Sequence, residues 1–144
     1  MKATVILSLL LLAVVTAGAQ DLLRSNPNYV KAREMQLQAD QAYNRGDYDK
    51  AAQLADDSRK LLSQAETETT ARIQQLRANG WKNRAAERIA YAKGIKADVA
   101  YPEPWAKANA LYDTAQKAYD AKDYDASIAA SQASYSALDG IRPK

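Results

Sequence analysis

The side chains that could do acid–base chemistry here are carboxylates, because the 144-residue chain has no His and no Cys. Familiar zinc sites and His-dependent catalytic triads therefore lack their ligands and bases. Glu66 and Glu68 face different sides of a helix, and Glu68 can pair with Arg72 at i+4. Glu103 stands between two prolines in the first turn of a helix, where the helix dipole favours an acid. We therefore expect no catalytic residue, no metal and no cofactor.

The strongest charge asymmetry lies between residues 72 and 96, where Glu87 is the sole acid. The basic residues of this segment are Arg72, Arg77, Lys82, Arg84, Arg88, Lys93 and Lys96. They could hold an anionic glycan, wall carboxylates or an acidic partner protein. The alternative, which we favour, is a solvated helix whose long side chains cover its apolar flanks. On a helical wheel these cations scatter around Trp81, Ala85 and Ile89 and form no clean basic face.

Arg88 differs from the other cations because it shares one arc of the helix with Trp81. It is expected to stack on Trp81 or to pair with an acid of the last two helices, Asp113 or Asp120. A pair of this kind usually has a structural role.

Aromatic residues form a second unusual group, with nine Tyr and two Trp but no Phe. Tyr is favoured over Phe where a ring is half exposed or its hydroxyl has a partner. Trp81, Tyr91, Tyr101 and Trp105 could form a platform for a sugar or a protein, although packing between helices is the explanation we favour. The candidate interaction surface combines aromatic and basic residues: Trp81, Arg84, Arg88, Tyr91, Lys93, Tyr101 and Trp105.

The elements that must position these residues are helices. Apolar residues recur at spacings of three and four, Gly and Pro number five and four, and no long run alternates polar and apolar residues. We predict an elongated all-α fold of about four or five helices, with no strand. The helices are expected to form a single domain over residues 20–144, with hairpin 1 at about 27–78, a central extension at 79–96 and hairpin 2 at about 102–139.

Residues 1–19 have the three parts of a secretory signal peptide: Lys2, the apolar run 5–15, and small residues at Ala17 and Ala19. We expect cleavage after Ala19, with cleavage after Ala17 as the alternative. The apolar run is shorter than the roughly 20 residues of a spanning helix. A buried N-terminal helix is the remaining alternative.

One short phrase occurs twice, as YNRGDYDKA at 43–51 and YDAKDYDAS at 119–127, 76 positions apart. In the first copy, Gly46 is predicted to take the left-handed conformation that ends a helix, and Asp47 to cap the next helix. Lys122 replaces the Gly in the second copy at a cost of about 1 kcal/mol, so that turn should be slightly strained or differently closed. The predicted turn residues are Tyr43, Gly46, Asp47, Tyr48, Tyr119, Asp123 and Tyr124.

The similarity between the copies extends beyond the corners. Aligned at the same offset, the two segments match at ten of about 30 positions. The matching pairs are Lys31/Lys107, Ala32/Ala108, Ala39/Ala115, Ala42/Ala118, Tyr43/Tyr119, Asp47/Asp123, Tyr48/Tyr124, Asp49/Asp125, Ser58/Ser134 and Leu62/Leu138. Small and aromatic contact residues dominate these pairs, which predicts two related helical hairpins produced by internal duplication. Chance similarity between Ala-rich helices is the alternative.

The second helix is predicted to continue far beyond its hairpin. Its apolar line runs through Leu54, Ser58, Leu61, Leu62, Ala65, Thr69, Ile73 and Leu76, and after Asn79-Gly80 it changes to Trp81, Ala85, Ile89 and Ala92. The chain could break at Asn79-Gly80, or one long helix could offer different faces to the two hairpins. We favour the continuous or kinked helix, because one Gly in a helix interior costs only about 1 kcal/mol. Residues 98–104 are predicted as a connecting loop.

The phrase GDYDKA, preceded by Ala42-Tyr43, resembles the corner of a tetratricopeptide repeat. The resemblance covers residues 32–62 well and 108–138 less well. It implies tetratricopeptide-like helical hairpins. The copies here are 76 positions apart, whereas that family repeats at about 34, so a concave superhelical groove is not expected.

The order NPNY, AYNRGDYDKAAQLAD, NRAAERIAYAKGIKAD, YPEPW and AYDAKDYDASIAAS is similar to the helical region of exported spirochaete envelope proteins. Many of those proteins carry a peptidoglycan-binding LysM module after this region. The resemblance implies an exported envelope protein and covers nearly the whole chain after the leader. The sequence ends at Lys144, where the module would begin, so we do not expect its wall binding to carry over.

These observations predict a non-catalytic scaffold or adaptor, periplasmic or secreted, with protein partners in the cell envelope. A structural coat or filament-associated component of a periplasmic assembly is one alternative, and a binder of peptidoglycan or another anionic glycan through residues 72–96 is the other. Removing Lys2 lowers the formal charge of +3 to +2, which is too weak a balance to predict a nucleic-acid partner. No membrane span is expected after cleavage, and oligomerisation stays open.

Overall fold

The computed structural model describes residues 17–143. Six helices account for most of this range: α1 (Ala17–Arg24), α2 (Pro27–Asn44), α3 (Tyr48–Gly94), α4 (Ala97–Ala100), α5 (Pro102–Asp120) and α6 (Tyr124–Ser136). No strand occurs among the described residues, so the all-α prediction is confirmed. The apolar run 5–15, on which the signal-peptide prediction rests, lies outside the described residues. Within that range, no helix combines the length and the hydropathy that a membrane span requires.

The helices divide into two compact units, Met1–Thr69 and Thr70–Lys144, and the division falls inside α3. The first unit holds α1, α2 and the first part of α3, and the second holds the rest of α3 with α4, α5 and α6. Helix α3 continues through Asn79 and Gly80 without a break, as predicted. No Pro occurs in α3, and the single interior Gly costs too little to end it.

In the first unit, α2 and α3 pack through small side chains. Asn26 begins α2 by accepting hydrogen bonds at its side-chain oxygen from the backbone N–H groups of Asn28 (2.8 Å) and Tyr29 (3.4 Å), which confirms the predicted cap. Ala32 and Ala65 are fully buried. The buried Ser58 hydroxyl donates to the carbonyl oxygen of Ala32 at 2.8 Å. Small residues at these positions allow the two helices to approach closely.

Glu68 contributes to the same unit in a way that corrects the sequence prediction. Its carboxylate accepts hydrogen bonds from the side-chain amides of Asn26 (2.9 Å) and Asn28 (3.0 Å), and it does not pair with Arg72. Arg72 instead donates to Gln75 at 2.6 Å. The amides lie far away in sequence, at the start of α2, so a rule based on helical spacing could not find them. Glu68 thus ties the beginning of α2 to α3.

The second unit contains the main apolar cluster of the chain. Its buried members are Ala92, Ala97, Ala108, Leu138 and Ile141, with Ile89, Ile95, Tyr101, Trp105 and Ala137 packed against them. Helices α5 and α6 meet along fully buried serines. The Ser127 hydroxyl donates to the Ala115 carbonyl at 2.9 Å, and the Ser134 hydroxyl donates to the Ala108 carbonyl at 2.7 Å.

The two corners adopt the same backbone, as the duplication predicts. Gly46 has φ 83° and Lys122 has φ 63°, so both lie in the left-handed region. The next residue in each corner, Asp47 or Asp123, donates its backbone N–H to the residue five positions earlier at 3.0 Å and 2.9 Å respectively. Both Asp side chains cap the following helix. The second turn is therefore closed like the first one, and the alternative of a different closure is wrong.

Other differences from the sequence analysis are local. The short helix α4 (Ala97–Ala100) overlaps the beginning of the predicted loop 98–104. Leu76 is 45% exposed, although the apolar line of α3 placed it in the core. Helix α6 ends at Ser136, before the predicted end of hairpin 2 at about 139, and Gly140 (φ 74°) follows in a turn.

Candidate functional site

Four residues of the predicted surface form one row on α3, which we call the α3 ladder: Trp81, Arg84, Arg88 and Tyr91. Their spacing of three, four and three places them on one side of the helix. The Arg84 guanidinium lies 4.9 Å from the centre of the Trp81 ring, and the Arg88 guanidinium lies 5.7 Å from that of Tyr91. The ladder alternates aromatic and cationic groups, with Tyr91 49% exposed.

Tyr135 of α6 completes the ladder and was missing from the predicted surface. Its ring meets that of Trp81 edge-on, with centres 6.4 Å apart. Arg88 lies 5.6 Å from the same ring. The signal that could have found Tyr135 was its place in the apolar stripe of α6, but contacts between α3 and α6 depend on the tertiary fold.

Arg88 takes none of its three predicted partners. Its guanidinium donates to the Leu138 carbonyl oxygen at 2.9 Å, just beyond the end of α6, whereas Arg84 is the residue that lies over Trp81. A cation at a helix C-terminus bonds free carbonyls and interacts favourably with the helix dipole. Within residues 18–143, the ion pairs are Arg59–Asp56 and Lys60–Asp57, so Arg88 pairs with neither predicted acid. Its contacts are those of a structural residue.

Three further residues belong to the predicted surface. Tyr101 and Trp105 pack against the apolar cluster of the second unit, and the Tyr101 hydroxyl donates to the Arg142 carbonyl oxygen at 3.3 Å. Lys93 is exposed in the last turn of α3. Packing between helices, the explanation favoured for the aromatic residues, therefore agrees with the contacts of Tyr101 and Trp105.

Lys82 is the basic residue that the sequence analysis undervalued. It is only 8% exposed, and its ammonium nitrogen lies 4.0 Å from the centre of the Tyr119 ring. That ring belongs to the second corner, where Tyr119 and Tyr124 meet edge-on at 5.5 Å. The aromatic face attracts the cation through its quadrupole. Lys82 therefore fastens α3 to the corner between α5 and α6.

The first corner has the same pair of rings but a different environment. Tyr43 and Tyr48 meet edge-on at 5.2 Å, and each is 63% exposed. Tyr119 and Tyr124, their counterparts at the 76-residue offset, are half-buried. We call the surface around this pair the open face of the first hairpin; its residues are the exposed Tyr43, Tyr48 and Ala52 and the half-buried Ala55 and Leu62.

In the described part of the chain, no group of three or more acids is placed to hold a metal ion. Glu68, one of the three carboxylates considered above for acid–base chemistry, is engaged by two Asn side chains. That the chain is not an enzyme stays a prediction. What the described surfaces offer is aromatic rings, cations and small residues on helices, which are groups suited to contact with another molecule.

Comparison with known proteins gives one similarity of note. No family model matches the chain, and no solved structure matches it. The chain is 32% identical over 117 residues to Treponemal membrane protein B of Treponema pallidum (strain Nichols), an alignment that covers 79% of this chain and 35% of the relative. The chain thus spans about a third of that protein's length. The match supports the resemblance to spirochaete proteins, while the tetratricopeptide and LysM parts of the resemblance stay predictions.

Proposed function

We propose that this chain is an exported, envelope-associated adaptor that binds other proteins and catalyses no reaction. The similarity to a protein named a treponemal membrane protein supports the association with an envelope. The predicted signal peptide supports export. The binding role is supported by the open face of the first hairpin, which displays two large aromatic side chains to solvent.

The observation that carries the proposal is the difference between the two copies. In the second copy, α3 covers the corner: Lys82 lies on Tyr119, and Trp81 meets Tyr135. In the first copy, Tyr43 and Tyr48 keep the same mutual geometry but are mostly exposed. Exposed aromatic residues on a rigid helical scaffold are enriched where proteins bind one another. The first copy therefore leaves exposed the surface that α3 covers in the second copy.

A capture experiment from detergent-solubilised native envelope tests the adaptor role. The bait is the exported chain, and the variant carries Tyr43→Ala and Tyr48→Ala together. We expect the variant to lose most of the protein captured by the wild type, because both rings are removed from the open face. Leu37→Ala is the matched control, since Leu37 is also exposed (59%) but lies outside that face. Equal capture by all three chains would contradict the proposal.

Binding of an anionic glycan through the α3 ladder is the second candidate function. It is favoured by Arg84 stacked on Trp81 beside the half-exposed Tyr91, since sugars pack on aromatic rings while cations hold their acidic groups. Sedimentation with purified wall sacculi tests it. The chain with Arg84→Ala and Tyr91→Ala should stay in the supernatant if the ladder binds, whereas Arg72→Ala, an exposed cation outside the ladder, should sediment like the wild type.

A further inference from the structure

We propose that the open face of the first hairpin binds a helix of a partner protein that carries a Lys three residues before an Ala. This inference rests on the proposed adaptor function and specifies the chemistry of the partner. Helix recognition by an exposed hairpin face is a common mode of protein binding, in which residues at i, i+3 and i+7 provide the contacts.

The chain itself supplies the template for this partner helix. On the second hairpin, the covering segment of α3 buries Lys82 (8% exposed), Ala85 (0%) and Ala92 (1%). Lys82 reaches the Tyr119 ring at the corner, and Ala92 packs with Leu138 in the apolar cluster. Alanines let the helix axes approach closely, and the Lys fixes the position of the helix along the hairpin.

The first hairpin has the same pair of Tyr rings as the one that Lys82 contacts on the second hairpin. The ring centres of Tyr43 and Tyr48 are 5.2 Å apart at 66°, compared with 5.5 Å and 63° for Tyr119 and Tyr124. Among residues 18–143, no cation lies over either ring of the first pair. Ser58 and Ser134 make equivalent hydrogen bonds within their hairpins, so the backbones that present the two receptors are also alike.

Size at the open face agrees with a small-residue helix. Ala52 and Ala55 stand where the second hairpin has Ile128 and Ser131, which leaves at least as much room at these two positions for a covering helix. Asp47 and Asp49 flank the exposed rings together with Arg45 and Lys50, so the formal charges of this stretch cancel. The aromatic faces are therefore the groups that attract a Lys ammonium here.

The partner must come from outside this copy of the chain. At the 76-residue offset, the covering segment 81–92 corresponds to residues 5–16, which fall in the predicted signal peptide. The exported chain is therefore expected to have no covering segment of its own at this position. Because α3 already supplies residues 81–92 to the second hairpin, a helix of another protein is the occupant that we infer.

A synthetic peptide with the sequence of residues 78–93 is the probe, because it copies the covering segment. It carries Gly80→Ala to favour the helix. Titrated into the ¹⁵N-labelled full chain, it should shift the amide signals of Tyr43, Tyr48 and Ala55. The peptide with Lys82→Ala should bind about fivefold or more weakly, since it lacks the cation over the rings, and the peptide with Lys82→Arg should retain most of its affinity.

Two variants of the full chain make the test specific. Tyr43→Ala with Tyr48→Ala should abolish the shifts, and Ala52→Arg, which adds bulk and positive charge at an exposed position, should do the same without removing any packed side chain. Leu37→Ala should bind like the wild type. Circular dichroism of each variant establishes that it is folded.

Four results would overturn the proposal. Unchanged affinity of the peptide for the Ala52→Arg chain would show that the peptide binds outside the open face. Amide shifts confined to Tyr119 and Tyr124 would show that the peptide replaces residues 81–92 of α3 on the second hairpin. A molecular mass in light scattering that doubles with concentration in the wild type, but not in the Ala52→Arg chain, would identify a second copy as the occupant. If the peptide does not bind but capture of envelope proteins still depends on Tyr43 and Tyr48, a Lys-bearing helix is excluded as the partner. The proposed adaptor function would still be supported.

Discussion

Single backbone positions explain how the same corner is built twice with different residues. Gly46 and Lys122 both have positive φ, a region that Gly enters freely and a residue with a Cβ enters at a cost. At Gly46, an added Cβ would meet no atom within 4 Å, so the cost of replacing this Gly is conformational and not steric. The second corner therefore keeps its shape against a local preference, held by the contacts of Lys82 and the two Tyr rings.

Substitution at these two positions should have opposite effects on stability. Lys122→Gly should raise the free energy of unfolding by about 0.5 kcal/mol, because relief of the left-handed strain exceeds the extra entropy of Gly in the unfolded chain. Gly46→Ala should lower it by about 1 kcal/mol for the converse reason. Urea denaturation of each variant measures both changes, and a loss of stability in Lys122→Gly would show that the Lys side chain stabilises the turn.

The buried serines differ in whether their hydroxyl groups form hydrogen bonds. The hydroxyls of Ser58 and Ser134 each donate to a backbone carbonyl of the facing helix. Among the described residues, the buried hydroxyl of Ser131 finds no hydrogen-bond acceptor or donor. The first copy has Ala55 at the position of Ser131, so the repeat itself tolerates the loss of this hydroxyl.

Alanine substitutions should separate these serines. Ser58→Ala and Ser134→Ala should each lower the free energy of unfolding by about 1 kcal/mol, the usual net contribution of one hydrogen bond. Ser131→Ala, the matched control, should be neutral or stabilising, because it removes a buried polar group without a partner. Chemical denaturation at constant pH measures all three, and an equal loss in all three would mean that packing volume and not hydrogen bonding is decisive.

At the scale of elements, α3 is the unusual feature, with 47 residues in one helix. In the part that belongs to the second unit, its buried positions are Ala78, Lys82, Ala85 and Ala92, close to the line predicted from sequence. Gly80 lies in the helix interior, where an added Cβ would meet nothing within 4 Å. Nothing in its surroundings explains why a Gly is required at this position.

Gly80→Ala should therefore raise the free energy of unfolding by about 1 kcal/mol, the difference in helix propensity between the two residues. Gly94→Ala provides the comparison, because Gly94 is the last residue of α3 and its replacement should change stability less. Thermal and urea unfolding followed at 222 nm measure both. A loss of stability in Gly80→Ala would show that the folded protein does not accommodate a Cβ at this position.

Contacts between residues close in sequence could be predicted, whereas contacts between distant residues could not. The caps at Asn26 and Asp123, and the corner at Gly46, depend on residues within five positions, and all were predicted correctly. The partners of Glu68 and Arg88 were wrong, because each bond joins residues at least 40 positions apart. The seven-residue predicted surface contains all four residues of the α3 ladder but lacks Tyr135, whose contact with Trp81 depends on the tertiary fold.

At the scale of the whole molecule, the two compact units share one helix, since their division falls between Thr69 and Thr70 inside α3. No loop separates them. A helix propagates order along its length, because each added residue gains a hydrogen bond without a new nucleation cost. We therefore expect the two units to unfold together in the intact protein, although each has its own packing.

Ala71→Pro should separate the two unfolding transitions. Ala71 is exposed in α3 beside the division, and a Pro in a helix interior costs about 3 kcal/mol by removing a hydrogen bond and clashing with the preceding turn. Calorimetry should show one transition for the wild type and two for the variant. Ala71→Gly, which costs only about 1 kcal/mol, should keep a single transition at a lower temperature. Two transitions in the wild type would show that α3 does not couple the units.

The two copies of the corner also differ in what they expose to water. The tyrosine pair and the bridging serine are the same in both copies, whereas Arg59 corresponds to Tyr135 and Ala52 corresponds to Ile128 in the alignment. Tyr135 and Ile128 belong to the copy that α3 covers. In the first copy the paired rings stay exposed, so a molecule that covers them would gain the free energy of removing apolar surface from water.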